Sequence, residues 1–240
     1  MNEAVVWHDV ECAAYAADLA LWEELAGPGP LLDIGAGTGR VALHLARRGA
    51  AVTAIDSDPA LVDALAHRAR AEGLRIHSHC VDARSFDLGR QFAVVILPMQ
   101  VVQLLGGSDG RNLMLASVRR HLAPGGLVAL ALADPFDEAE DPSEHPPPLP
   151  DVREEDGWVF QSRPVIVRPV EHGAAIERLR EVVSPDGTLS ESANVIVLDR
   201  VEPGTLEREA LAHRFRVAPR RVIPPTQVYV GSDVVVLEAV

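Results

Sequence analysis

Apolar residues in this chain follow two different periods, and the change between them divides it. Over residues 4–26, Tyr15, Leu19, Trp22 and Leu25 recur at helical spacing, and Pro28 and Pro30 close the segment; the pattern predicts one helix there. Short strand-like runs, most of them largely apolar, follow: Leu31–Ile34, Ala51–Ile55, Leu74–Val81, Phe92–Leu97 and Leu127–Leu132. Between them lie the amphipathic stretches Val41–Arg48, Pro59–Glu72 and Asn112–Leu122, closed by Gly49, Gly73 and Pro124-Gly125-Gly126. Strands that are apolar on both faces have no side for water. Alternating with helices, they predict an α/β fold with a parallel sheet covered on both faces.

After Asp134 the pattern breaks. Residues 137–156 hold nine acidic side chains, one basic one and five prolines. Such a segment repels itself and has little to bury, which predicts a linker or lid. Three strand-like runs come next, Trp158–Val170, Ala174–Val183 and Thr188–Val201. They are separated by Glu171-His172-Gly173 and Ser184-Pro185-Asp186-Gly187, the turn chemistry of antiparallel hairpins. A helix, Thr205–His213, and two strands, Phe215–Ile223 and Val234–Val240, complete the chain. The expected division is a main α/β domain over 1–136 and 202–240, with 137–201 inserted as linker and antiparallel β-subdomain.

Composition narrows the function. The chain has 240 residues, with 22 Lys and Arg against 35 Asp and Glu, a formal charge of -13. That charge repels nucleic-acid phosphates and anionic lipid, so neither nucleic acid nor membrane is an expected partner. Cys12 and Cys80 form no CxxC pair, and no metal site is expected. The acidic start, Met1-Asn2-Glu3-Ala4, has no apolar signal core, and no run of 18 apolar residues exists. These features predict a soluble cytoplasmic protein.

The most specific chemistry lies in Asp33-Ile34-Gly35-Ala36-Gly37-Thr38-Gly39, between a strand and a helix. Glycines there let the backbone approach a ligand, and the helix that follows offers unpaired N–H groups. A dinucleotide fingerprint needs a third glycine at position 40, where Arg40 stands, which disfavours a nicotinamide oxidoreductase. Asp56 ends the second strand, where a carboxylate can accept both ribose hydroxyls. In Val81-Asp82-Ala83 an acid at the third strand end can accept from an adenine amine. Carboxylates at three strand ends without a phosphate cradle suit a nucleoside bearing a positive sulfur. Each feature alone has a plainer reading, a tight turn or a solvated acid.

In order and spacing, Leu31–Gly39, Ala54-Ile55-Asp56-Ser57-Asp58, Val81-Asp82-Ala83 and Leu122-Ala123-Pro124-Gly125-Gly126 resemble the motifs of class I S-adenosylmethionine-dependent methyltransferases over roughly residues 30–134. The resemblance implies a Rossmann-like seven-stranded sheet of order 3-2-1-4-5-7-6, its last strand antiparallel. It implies that Asp33 with Gly35, Ala36, Gly37 and Gly39 holds the methionine end of S-adenosylmethionine. Asp56 and Ser57 would then meet the ribose, Asp82 and Ala83 the adenine, and Leu97 would close the fourth strand beside the methyl group. Members resembling glycine and amino-sugar N-methyltransferases insert a β-subdomain after the fifth strand that covers the acceptor and often mediates dimerisation. The glycine often found before the sixth strand is absent, since Ala212-His213-Arg214-Phe215 stands there.

The resemblance implies a methyl transferred to nitrogen or oxygen of a small molecule. Amino-directed nucleic-acid methylases carry Asn or Asp before Pro-Pro and an aromatic where this chain has Leu97-Pro98-Met99-Gln100. Gln100 and Gln103 could orient a polar acceptor or be surface amides. Tyr15, Asp134 and His8 are further catalytic candidates; His44 reads as structural, and His145 and His172 as solvated. A binding module without catalysis and an RNA methyltransferase are the alternatives.

Overall fold

A computed structural model describes residues 2–133, 149–226 and 229–240. The first segment is two helices rather than one. In α1 (Glu3–Cys12), Asn2 caps the start by accepting from the Ala4 and Val5 amides. Helix α2 (Leu19–Ala26) begins at Asp18, whose side chain makes no capping bond. Its carboxylate instead takes a bidentate pair from Arg40 (2.6 and 2.7 Å) and the Trp22 indole N–H (2.8 Å). Arg40 also donates to the Tyr15 carbonyl, so a cation far along the chain holds residues 13–18 in a turn.

Parallel strands and helices then alternate: β1 (Leu31–Ile34), α3 (Arg40–Arg47), β2 (Val52–Asp56), α4 (Pro59–Ala71), β3 (His77–Cys80) and β4 (Phe92–Leu97). Proline at the first helical position and Asp58 as cap, accepting from the Ala60 and Leu61 amides, fix the start of α4. A 3-10 turn (Val101–Leu104) leads into α5 (Gly107–His121) and β5 (Leu122–Leu132). Helix α5 starts five residues before the apolar pattern does, and β5 starts five residues early, through a bulge opposite β4. Strand β3 is shorter than its apolar run, because residues 74–76 leave the β2 register.

Four antiparallel strands follow: β6 (Asp151–Glu155), β7 (Trp158–Val170), β8 (Gly173–Val183) and β9 (Leu189–Asp199). Strand β6 lies inside the segment expected to be a linker; residues 137–148 fall outside the described ones. Three of its four charges are held in ion pairs rather than left to repel each other. Arg153 pairs with Asp9 and Glu155, and Asp151 with Arg178. Charge content alone could not reveal those partners.

Helix α6 (Pro203–Leu211) returns the chain to the main sheet through β10 (Phe215–Val217), β11 (Arg221–Ile223) and β12 (Ser232–Ala239). The strand expected over Phe215–Ile223 is broken at Ala218-Pro219-Arg220, and both halves pair with β12. The sheet order is β3-β2-β1-β4-β5-β12-β10, with β12 antiparallel to β5, so the expected topology holds. Leu32, Ile34, Val95, Leu97 and Leu130 face one core with α5 and α6; Leu31, Ala54, Ile96 and Ala129 face the other with α2 and α3. That alternation is the β-pleat buried on both sides. A third cluster, Val6, Trp7, Val10 and Phe160, joins α1 to β7. No helix among the described residues is long and apolar enough to cross a membrane.

Candidate active site

A cavity of about 480 Å³ opens at the carboxyl ends of β1, β2 and β4. Its floor is Asp33 to Ala36, and Asp56, Ser57, Asp82 and Ala83 line one wall. Pro98 to Val101 form the opposite side, and α1 contributes His8, Glu11 and Cys12. Ile196 and Leu198 of β9 face in from the antiparallel sheet. Carboxyl ends at the point where strand order reverses, between β1 and β4, are where open α/β sheets leave room for ligands.

The glycine turn is shaped from both sides. The amides of Gly35 and Ala36 donate to the Ile55 carbonyl, and the Gly37 amide donates to Asp56 Oδ2 at 2.8 Å. Asp56 Oδ1 accepts from the Asp58 amide at 3.0 Å, so this carboxylate braces the turn while still lining the cavity. Gly37 has φ +55°, and a Cβ there would lie 2.0 Å from His8 Nε2. Its bareness therefore admits α1 as much as any ligand.

Asp33 is the electrostatic centre. It is 1% exposed, and neither carboxylate oxygen has a hydrogen-bond partner. Burial pushes its pKa up to about 8, with the Arg40 guanidinium opposing the rise. A buried carboxylate without a donor is expensive unless a ligand supplies one, and a cation is the ligand that fits. Asp82 is held below the ordinary carboxylate range by Arg84, which grips it at 2.6 Å.

His8 has a definable tautomer. The Thr38 hydroxyl donates its single proton to Asp9 Oδ1 at 2.7 Å, and Asp9 is held ionised by Arg68. Thr38 Oγ1 also sits 3.2 Å from His8 Nδ1, so Nδ1 must carry the hydrogen and donate. That leaves Nε2 bare, and burial keeps the ring neutral by lowering its pKa.

The predicted residues separate into two groups. Asp33, Gly35, Ala36, Asp56, Ser57, Asp82, Ala83 and Gln100 share the cavity wall. Gly37, Gly39 and Leu97 stand behind it: Gly39 packs against Leu65, and Leu97 is fully buried in the core. Tyr15 is also away from the lining. Its ring lies 4.9 Å from that of Tyr229, and burial pushes its hydroxyl up to about 12. Asp134 lies outside the described residues. Gln103 is neither a surface amide nor free to meet an acceptor: 3% exposed, it donates to the Ala133 and Asp199 carbonyls and accepts from the Ala133 amide.

Other lining residues carried no signal in the sequence. Glu11 and Cys12 look like any helix surface, and Ile196 and Leu198 reach the cavity from across the fold. Met99 adopts φ +55°, a left-handed conformation that costs a non-glycine residue about 1–3 kcal/mol and tends to mark ligand sites.

Residues 31–126 match the family model described as a methyltransferase domain. Among curated proteins, none matches the chain in sequence. Among solved structures the chain is similar to an amino pentose methyltransferase from Micromonospora echinaspora, with 20% identity, TM-score 0.70, and 100% of this chain and 98% of that one covered. It is similar to a sugar N-methyltransferase from a Streptoalloteichus species, with 20% identity, TM-score 0.70, and 96% and 91% covered. The CcbJ methyltransferase from Streptomyces caelestis is 21% identical, TM-score 0.68, with 93% and 88% covered. At these identities the likeness establishes the fold alone, and the family model matches less than half of the chain. Residues 31–126 thus resemble a methyltransferase domain, set in a chain with the fold of S-adenosylmethionine-dependent methyltransferases.

Proposed function

We propose that this enzyme methylates a nitrogen of a small-molecule amine. Residues 1–136 and 202–240 would form the cofactor-binding unit and 137–201 the cover over the acceptor. The observation that carries the reading is the fully buried carboxylate of Asp33 in a cavity whose other acids, Glu11, Asp56 and Asp82, outnumber its arginines, Arg40 and Arg84. A wall of this kind favours cations, and small amines arrive protonated.

S-adenosylmethionine, when bound, supplies a methyl group activated on a positive sulfur. Asp33 would meet its positive methionine end, Asp56 its ribose and Asp82 with Ala83 its adenine. Gln100, whose side-chain amide has no partner among the described residues, would orient the acceptor from the end of β4. An ammonium must lose a proton before its lone pair can react, and His8, neutral and lining the cavity, would take it. Ile196 and Leu198 exclude water from above. Two known relatives in fold, the sugar N-methyltransferase and the amino pentose methyltransferase, support an amine acceptor. The outer face of the antiparallel sheet exposes Ile166, Val195 and Val197, which supports pairing of two copies there.

The test is a mass-spectrometric screen of amines, amino sugars and hydroxyl-only analogues with S-adenosylmethionine. Methylated amines are expected. Turnover confined to hydroxyl compounds would sink the nitrogen reading. Calorimetry with S-adenosylhomocysteine should show Asp56→Ala binding weaker by roughly 1–3 kcal/mol.

A further inference from the structure

A second cavity, about 570 Å³, lies between α1 and the amino-terminal part of β7, and shares no lining residue with the cofactor cavity. Trp7, Trp158 and Phe160 dominate it, in a chain with only three tryptophans. Trp158 is 37% exposed. Glu3 and Glu191 stand on its rim, the lining holds no Lys or Arg, and neither acid has an ion-pair partner among the described residues.

The protein itself shows what this cluster attracts. Arg180 places its guanidinium carbon 4.9 Å from the Trp7 ring centre, and Glu11 grips the same guanidinium at 2.8 and 3.0 Å. An aromatic face and a carboxylate together thus hold a cation at the closed end of the cluster. The same cavity sets Trp158, Glu191 and Glu3 in one lining that holds no Lys or Arg. Trp158 and Phe160 lie nearly parallel, 6.4 Å apart, and Phe160 meets Trp7 edge-on at 5.9 Å.

We propose that this groove binds an apolar organic cation, an alkyl- or aryl-ammonium, at a site separate from the cofactor. A purely apolar guest would gain nothing from the two acids, and an anion would be repelled by them. A compact hydrophilic cation would leave the aromatic surface uncovered. The inference stands whatever the acceptor of the methyl group proves to be.

The probe is benzyltrimethylammonium, with benzyl alcohol as its neutral comparator, titrated into the full chain. Trp22 lies outside this cavity, so a change in tryptophan fluorescence on titration reports on Trp7 and Trp158. Saturable quenching is expected, roughly tenfold tighter for the cation than for the alcohol. It should persist when S-adenosylhomocysteine fills the other cavity. By calorimetry, Trp158→Ala should abolish binding and Glu191→Gln should weaken it several-fold in a protein that melts normally. Equal affinity for the two probes, displacement by S-adenosylhomocysteine, or full binding by Trp158→Ala would each overturn the proposal.

Discussion

At Asp33 the protein keeps a carboxylate whose burial outweighs the help of Arg40 and the Ala42 amide, and the consequence is a stability that depends on pH. Its folded pKa of about 8 lies above the ordinary carboxylate value near 4. Between those values the folded chain binds more protons than the unfolded one. This group therefore subtracts stability progressively as pH rises through that window, and fully above about pH 8. Asp33→Asn should raise ligand-free stability at pH 8 by on the order of 1–3 kcal/mol and flatten this part of the pH slope in calorimetric melts. In the unmodified enzyme, affinity for S-adenosylhomocysteine should improve by up to tenfold per pH unit on approaching pH 8; in Asp33→Asn it should be weaker and flat. An unchanged slope would separate Asp33 from cofactor binding. The sequence showed this residue plainly, because an acid two positions before a glycine turn is a local pattern. The state of His8 was not readable, since it depends on Thr38 and Asp9, which only the fold brings together.

Elements were readable wherever one segment decided its own structure. Strands β1, β2 and β4 are mostly apolar on both faces, and each lies within a residue of the run that predicted it. The break between α1 and α2 was not readable. Apolar spacing runs straight through residues 13–18, and what bends them is Arg40 on a different helix. That dependence has a measurable price. With Asp18 buried, Arg40→Leu leaves an isolated charge inside the fold and should cost about 3–5 kcal/mol in urea unfolding. Asp18→Asn combined with Arg40→Leu should recover part of the loss. If the double variant were no better than the single one, the pair would not be what holds the turn.

Across the whole molecule, Asp9 is the joint. From α1 it accepts from Thr38 in the glycine turn, Arg68 on α4 and Arg153 on β6, tying the antiparallel sheet to the cofactor cavity. Asp9→Ala should therefore speed amide exchange in β6 and the adjoining part of β7 while leaving β1, β2 and β4 protected; uniform loss of protection would mean that Asp9 serves global stability instead. The strand order was readable from the motifs, whereas this joint links residues up to 144 positions apart and leaves no local trace. The placing of β12 has a consequence for the making of the protein. Strand β12, made after the other described strands, is the one that slides between β5 and β10. Until it arrives, the wholly buried edge of Leu127 to Leu132 faces the cell unpaired, a sticky border on a growing chain. A nascent chain of this design can finish its antiparallel sheet early, yet it depends on chaperones or speed to guard the central one until β12 emerges.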